Sequence, residues 1–240
     1  MSLAAAVFAS GSGSNFQRLV EHSRSAPAGW RVALLVSDRP DAPVLERARA
    51  AGIPTAVIPV TGRDPDQLAA ETRASLREVG ADLVLLAGYL RLVPSGVVAA
   101  YRGRILNVHP ALLPAFGGKG MFGQHVHRAV LASGVRITGA TVHFVDERYD
   151  RGPILAQWPV PVIAGDTPAT LAGRVLAVEH RIFPAAVDHL AARIAAANAA
   201  DPESDRAPGR TPPPEGPWFT LAPDPAPDPG YFFAPEAEHE

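Results

Sequence analysis

Four short runs of almost unbroken apolar residues, at 3–8 (LAAAVF), 30–38 (WRVALLVSD), 55–60 (TAVIPV) and 81–89 (ADLVLLAGY), constrain this chain more than any other feature. A run rich in Val, Ile and Leu without polar alternation suits a strand covered on both faces. Residues 42–52 and 64–80, lying between these runs, repeat at helical period, and each closes on a glycine, Gly52 or Gly80. Regular β-α-β-α alternation implies an α/β fold, doubly wound and Rossmann-like, whose mostly parallel sheet carries helices on both faces. Residues 103–110 (GRILNVHP) add a strand that Pro110 stops. From Ile137 the pattern changes: 137–147 and 153–162 alternate and lie close together, as antiparallel edge strands do. A last helix opens at Pro168, in a first turn that tolerates proline, and runs towards Ala200.

Between the first strand and its helix lies ASGSGSNFQRLV, residues 9–20. Phe16, Leu19 and Val20 follow helical spacing, so the helix begins near Ser14, and Ser14 with Gln17 forms a capping-box pattern. A strand, a glycine-rich turn and a helix N-terminus together present backbone N–H groups and a positive dipole end, which suits a phosphate. The turn lacks the Lys-Ser/Thr of a P-loop, and Phe16 stands where a dinucleotide fingerprint needs a small residue. The plainer reading is a turn that uses glycine only to reverse the chain. Ligands of open α/β sheets bind beyond the carboxyl ends of the strands, which places loops 10–15, 87–93 and 107–110 on one rim.

Composition narrows the classes. Eleven of the 25 prolines and nine acidic residues against two arginines fall in 201–240, which reads as an acidic, Pro-rich tail following a single domain at 1–200. The remaining 20 Lys and Arg against 15 Asp and Glu leave residues 1–200 mildly basic, suited to a small anionic substrate but not to nucleic acid. The chain has no cysteine, which excludes disulfide and thiol chemistry. It has no apolar run of membrane-spanning length and no signal-like N-terminus, so a cytoplasmic protein, monomer or homodimer, is expected.

Asn107 and His109 flank Val108 at a strand end, so the period of two turns both side chains to one side. An imidazole moves protons near neutral pH, and an amide N–H holds an oxygen that becomes negative, a pairing suited to acyl-type transfer. Asp150, in the turn before Arg151-Gly152-Pro153, would raise the basicity of His109 if the fold brought them together. Taken singly, each has a structural reading: Asn107 as a turn former, His109 as a satisfied core histidine, Asp150 as an ordinary turn aspartate. His125, His127 and His143 lack zinc-like spacing, and residues 116–123 (FGGKGMFG) ahead of the first two read as mobile loop, so no metal is expected.

Taken together, SGSGSN after the first strand, AGYLRLVP, ILNVHPALLPAF and TVHFVDERYDRGPILAQ resemble the glycinamide ribonucleotide formyltransferases of purine biosynthesis, across residues 4–190. The resemblance implies formyl transfer from 10-formyltetrahydrofolate to the amine of N1-(5-phospho-D-ribosyl)glycinamide. In that family's pattern Asn107, His109 and Asp150 occupy the catalytic positions, with Asp150 keeping His109 cationic. Ser12, Gly13, Ser14 and Asn15 match the phosphate loop, and Glu179 an acidic residue near the glycinamide end. Leu90, Arg91, Leu92, Val93, Asp146, Glu147, Arg148 and Tyr149 match segments lining the folate slot, and Arg63 a peripheral contact to the formyl donor. The loop at 117–127 is longer than in many relatives and reads as a flap carrying Lys119 and His125. The alternatives are a 10-formyltetrahydrofolate hydrolase, which usually carries a domain ahead of a strand that here begins near residue 3, and a non-catalytic binder of a phosphorylated metabolite.

Overall fold

The computed structural model describes residues 2–25 and 29–200, so the expected tail at 201–240 lies outside the described residues. The strands are β1 (Leu3–Phe8), β2 (Trp30–Ser37), β3 (Thr55–Val57), β4 (Leu83–Leu86), β5 (Ile105–His109), β6 (Ile137–Phe144) and β7 (Ile154–Pro161). They form one sheet in the order β3-β2-β1-β4-β5-β6-β7. Pairing is parallel from β3 through β5 and antiparallel at β5–β6 and β6–β7, as the change of pattern at Ile137 implied. The helices are α1 (Ser14–Ser25), α2 (Val44–Ala50), α3 (Pro65–Glu78), α4 (Ser95–Ala100), α5 (Gln124–Ser133) and α6 (Pro168–Ala200).

The unbroken apolar runs are explained by two cores. Along β1, Ala5, Val7 and Ala9 pack into one cluster with α1, α2 and α6, while Ala6 and Phe8 pack into a second beneath α3 and α4. Both faces of the strand are therefore buried, and polar alternation has no place. On α6, Asp188 accepts hydrogen bonds from Trp30 Nε1 of β2 and His22 Nε2 of α1, each at 2.7 Å, which fixes α6 against the first strand-helix unit. The chain runs outward from β1 to β3, then crosses back to β4 on the other side. The loops after β1 and β4 thus leave the sheet at its topological switch point, the ligand crevice of such folds.

Three expectations need correction. The run at 55–60 yields only a three-residue β3, half-buried at Ala56 and exposed at Thr55 and Val57. It is an edge strand paired with β2 alone, and Pro59 has no N–H to prolong it. Residues 124–127 are not loop: they form the first turn of α5, so only 117–123 is irregular, and His125 and His127 ride on a helix. The capping box is not made either, because the Gln17 side chain donates to Glu21 Oε1 at 3.0 Å, and Gly13 O receives the Gln17 N–H at 2.9 Å.

Candidate active site

The turn after β1 is held from three sides by residues distant in sequence. Ser10 N–H donates to Gly88 O at 3.1 Å and Leu90 N–H to Ser10 Oγ at 3.0 Å, stitching this turn to the loop after β4. Behind it, Val44 N–H donates to Gly11 O at 3.1 Å and Arg47 Nε to Ser12 O at 2.8 Å. Gly13 has φ +76°, and a Cβ there would collide with the Val44 side chain, so both backbone and packing demand glycine. With no side chain capping the helix, the first N–H groups of α1 keep their free valence beside the cleft. Asn15, one residue into α1, donates from Nδ2 to Glu179 Oε2 of α6 at 2.6 Å, and its buried Oδ1 has no partner among the described residues. Burial pushes the Glu179 carboxyl up to about 7, against the opposing pull of the Asn15 hydrogen bond.

At the end of β5, Asn107 and His109 do share a face, because their antiparallel partners on β6 are His143 and Thr141. Thr141 Oγ1 accepts from Leu113 N–H at 3.0 Å and donates to Ala111 O at 2.6 Å, which shapes the chain after Pro110. His109 is 3% exposed. Its Nε2–H donates to Phe116 O at 2.8 Å, leaving Nδ1 to face Asp150 Oδ2 at 3.6 Å. Asp150 itself sits at φ +53°, a conformation an aspartate adopts at a cost, and accepts Gly118 N–H at 2.8 Å. The adjoining Gly152 is packed so closely on Phe144 O that a Cβ there would overlap it, which fixes the turn carrying Asp150.

The protonation balance differs from the expected cationic histidine. Burial lowers the pKa of His109, and the raising effects of Asp150 and Phe116 O do not restore it, so the resting imidazole is neutral at neutral pH. Burial would push Asp150 up, but His143, His109 and the Gly118 N–H together hold it below its ordinary value. The sequence pointed to His143 only as a candidate metal ligand. The fold sets it in the site: its Nδ1–H donates to Phe144 O at 2.8 Å and its Nε2 accepts from Asn107 Nδ2 at 3.0 Å. The cross-strand register of β5 and β6 was the signal for this, and a single strand read alone does not carry it.

A cleft of about 630 Å³ joins these parts, lined by Ser12, Gly13, Ser14, Asn15, Asn107, His109, Asp150 and Glu179 and walled by 118–124. Leu90 and Tyr149 also line it. The other residues matched to the folate slot are placed differently. Val93 is buried in the second core, Arg91 Nε donates to Asp38 Oδ2 at 2.9 Å, and Arg63 pairs with Glu71 at 2.6 Å. Glu147 pairs with Arg102 at 3.0 Å, and Asp146 accepts the Arg148 N–H at 2.8 Å, so these three organise the loop before Asp150.

An open α/β sheet whose switch-point crevice holds both a glycine turn at a helix N-terminus and an Asn-His-Asp group defines an α/β protein with a helix-dipole end and proton-transfer side chains in one cleft. Residues 3–187 match the family model described as formyl transferase. The chloroplastic phosphoribosylglycinamide formyltransferase of Arabidopsis thaliana is 53% identical over 180 residues, covering 74% of this chain and 62% of the plant protein. The chain thus spans about three-fifths of the length of that relative. The phosphoribosylglycinamide formyltransferase of Bacillus subtilis is 40% identical over 77% of this chain and 93% of its own length. The crystal structure of glycinamide ribonucleotide transformylase 1 from Symbiobacterium toebii superposes with a TM-score of 0.75 at 42% identity, covering 80% of this chain and 89% of that one. The chain belongs to the formyl transferase family.

Proposed function

We propose that this chain transfers the formyl group of 10-formyltetrahydrofolate to the amine of N1-(5-phospho-D-ribosyl)glycinamide, in purine biosynthesis de novo. The observation that carries it is the presence of the Asn107, His109 and Asp150 cluster in the same cleft as the α1 N-terminal turn. The names of the similar proteins point the same way. The phosphate of the acceptor lies on the N–H groups of the turn at Ser12, Gly13, Ser14 and Asn15, and Glu179 receives the glycinamide end. The folate lies against Leu90 and Tyr149. The backbone of 91–93, fixed by the Arg91–Asp38 pair and by burial of Val93, and the loop at 146–148 shape that end of the slot, while Arg63 contributes at the periphery.

In the reaction the acceptor nitrogen attacks the formyl carbon, a C–N bond forms, and the carbonyl electron pair moves onto oxygen. Asn107 Nδ2–H stabilises that oxyanion, turned towards it by His143. The attacking amine must lose a proton, and neutral His109 takes it at Nδ1, the nitrogen that faces Asp150. The new imidazolium is stabilised by the Asp150 carboxylate and returns the proton to N10 of the folate as the C–N10 bond breaks. The products are the formamide and tetrahydrofolate. The test is consumption of 10-formyltetrahydrofolate by purified protein: consumption that depends on the phosphoribosyl acceptor is expected, and equal consumption without acceptor would make the protein a hydrolase.

A further inference from the structure

Of the 22 Lys and Arg residues in this chain, a single one, Lys119, is lysine. It is exposed on the loop 117–123 and lines the cleft, where it is the only Lys or Arg among the described lining residues, which include the acids Asp150 and Glu179. Among the described residues no hydrogen bond or ion pair engages it, whereas surface arginines such as Arg18, Arg39, Arg63 and Arg102 each pair with a carboxylate. Its backbone position is nevertheless set, because the preceding Gly118 N–H is anchored to Asp150 Oδ2 at 2.8 Å. A lysine is a compact point charge on a flexible stem, suited to follow an anion rather than to lock a fork onto a carboxylate.

A phosphate monoester brings close to two negative charges at neutral pH. The α1 N-terminus offers about half a unit of positive charge, and the Asp150 carboxylate in the cleft opposes a dianion. We infer that Lys119 is a specificity-determining residue for the acceptor: its ammonium closes on the phosphate held by the Ser12–Asn15 turn. The identity of that acceptor rests on the function proposed above; the anion contact itself does not. The other anion available to the cleft is a carboxylate of the formyl donor, and the experiment separates the two.

Because Lys119 carries the only side-chain amine of this chain, acetylation by an N-hydroxysuccinimide ester labels it and the α-amine alone, and peptide mass spectrometry reads the two apart. Ribose 5-phosphate is expected to slow labelling of Lys119 at least tenfold, while ribose and tetrahydrofolate leave the rate within twofold. Equal rates with and without ribose 5-phosphate overturn the proposal, and so does protection by tetrahydrofolate alone, which assigns the lysine to the donor. This readout needs no turnover, so it stands even if formyl transfer is absent. In the transfer assay Lys119→Met is expected to raise the acceptor KM about tenfold with kcat within twofold, and Lys119→Arg to recover part of the loss. An unchanged acceptor KM in Lys119→Met overturns it.

Discussion

At the scale of single residues, the site depends on a neutral histidine beside a carboxylate. Burial lowers His109 and Asp150 pulls the other way, so the acid limb of kcat/KM is expected below the ordinary histidine value of about 6.5. Activity falls as pH drops through that limb, because the protonated imidazole cannot accept the amine proton. Replacing Asp150 by Asn removes the opposing charge, and the limb is expected to move further to acid, read from a pH profile of kcat/KM. The same variant is expected to lose at least a hundredfold in kcat with little change in Tm, since asparagine also tolerates the φ of +53° found at Asp150. The pair Asn107 and His109 was legible from an alternation of two residues along one strand. The neutral state of His109 was not, because burial is a property of the packed molecule. Nor was the role of His143, which depends on which residue of β6 lies opposite Asn107.

At the scale of elements, the proposed phosphate site rests on the turn from β1 into α1 and on the contact of α1 with α6. Gly13→Ala forces a positive φ on an L side chain and drives its Cβ into Val44 of α2. A lower Tm and a rise of at least tenfold in the acceptor KM are expected, with the folate KM much less affected; equal losses for both substrates would move the phosphate away from this turn. Glu179 links α6 to α1 through Asn15, and its carboxyl, ordinarily near 4.5, is pushed up to about 7 by burial. Folding therefore takes up a proton between these values. The associated stability is complete below 4.5 and is lost, on the order of 3 kcal/mol, as pH rises through 7. Glu179→Gln stays neutral throughout, so its Tm relative to the unsubstituted protein is expected to rise by several degrees between pH 5 and pH 8, measured by thermal melts. Strand-helix alternation and the start of α1 at Ser14 were readable from periodicity. The cap was not, because the Gln17 side chain can also pair along the helix, and it donates to Glu21, one turn on, instead of reaching back to the helix start. The length of β3 was misread because an apolar run says nothing about whether its strand is central or at an edge.

At the scale of the whole molecule, the sheet order accounts for the meeting of residues more than ninety positions apart. The chain leaves β1 in one direction and resumes at β4 in the other, so the turn after β1 and the end of β5 open into a single crevice. Two antiparallel strands complete the far edge and bring Asp150 and His143 to Asn107 and His109. That convergence was foreseeable from the strand-end rule for 10–15, 87–93 and 107–110, but the return of 143–150 required the observed pairing of β6. In the function proposed above, this crevice passes a formyl group between two bound molecules. That transfer is tested most directly by the fate of a ¹³C-labelled formyl group on 10-formyltetrahydrofolate, followed by mass spectrometry in the presence of N1-(5-phospho-D-ribosyl)glycinamide. Label recovered in the formamide of the acceptor, and lost when His109 is replaced by alanine, is the expected result; label recovered as free formate, or remaining on the folate, would contradict it.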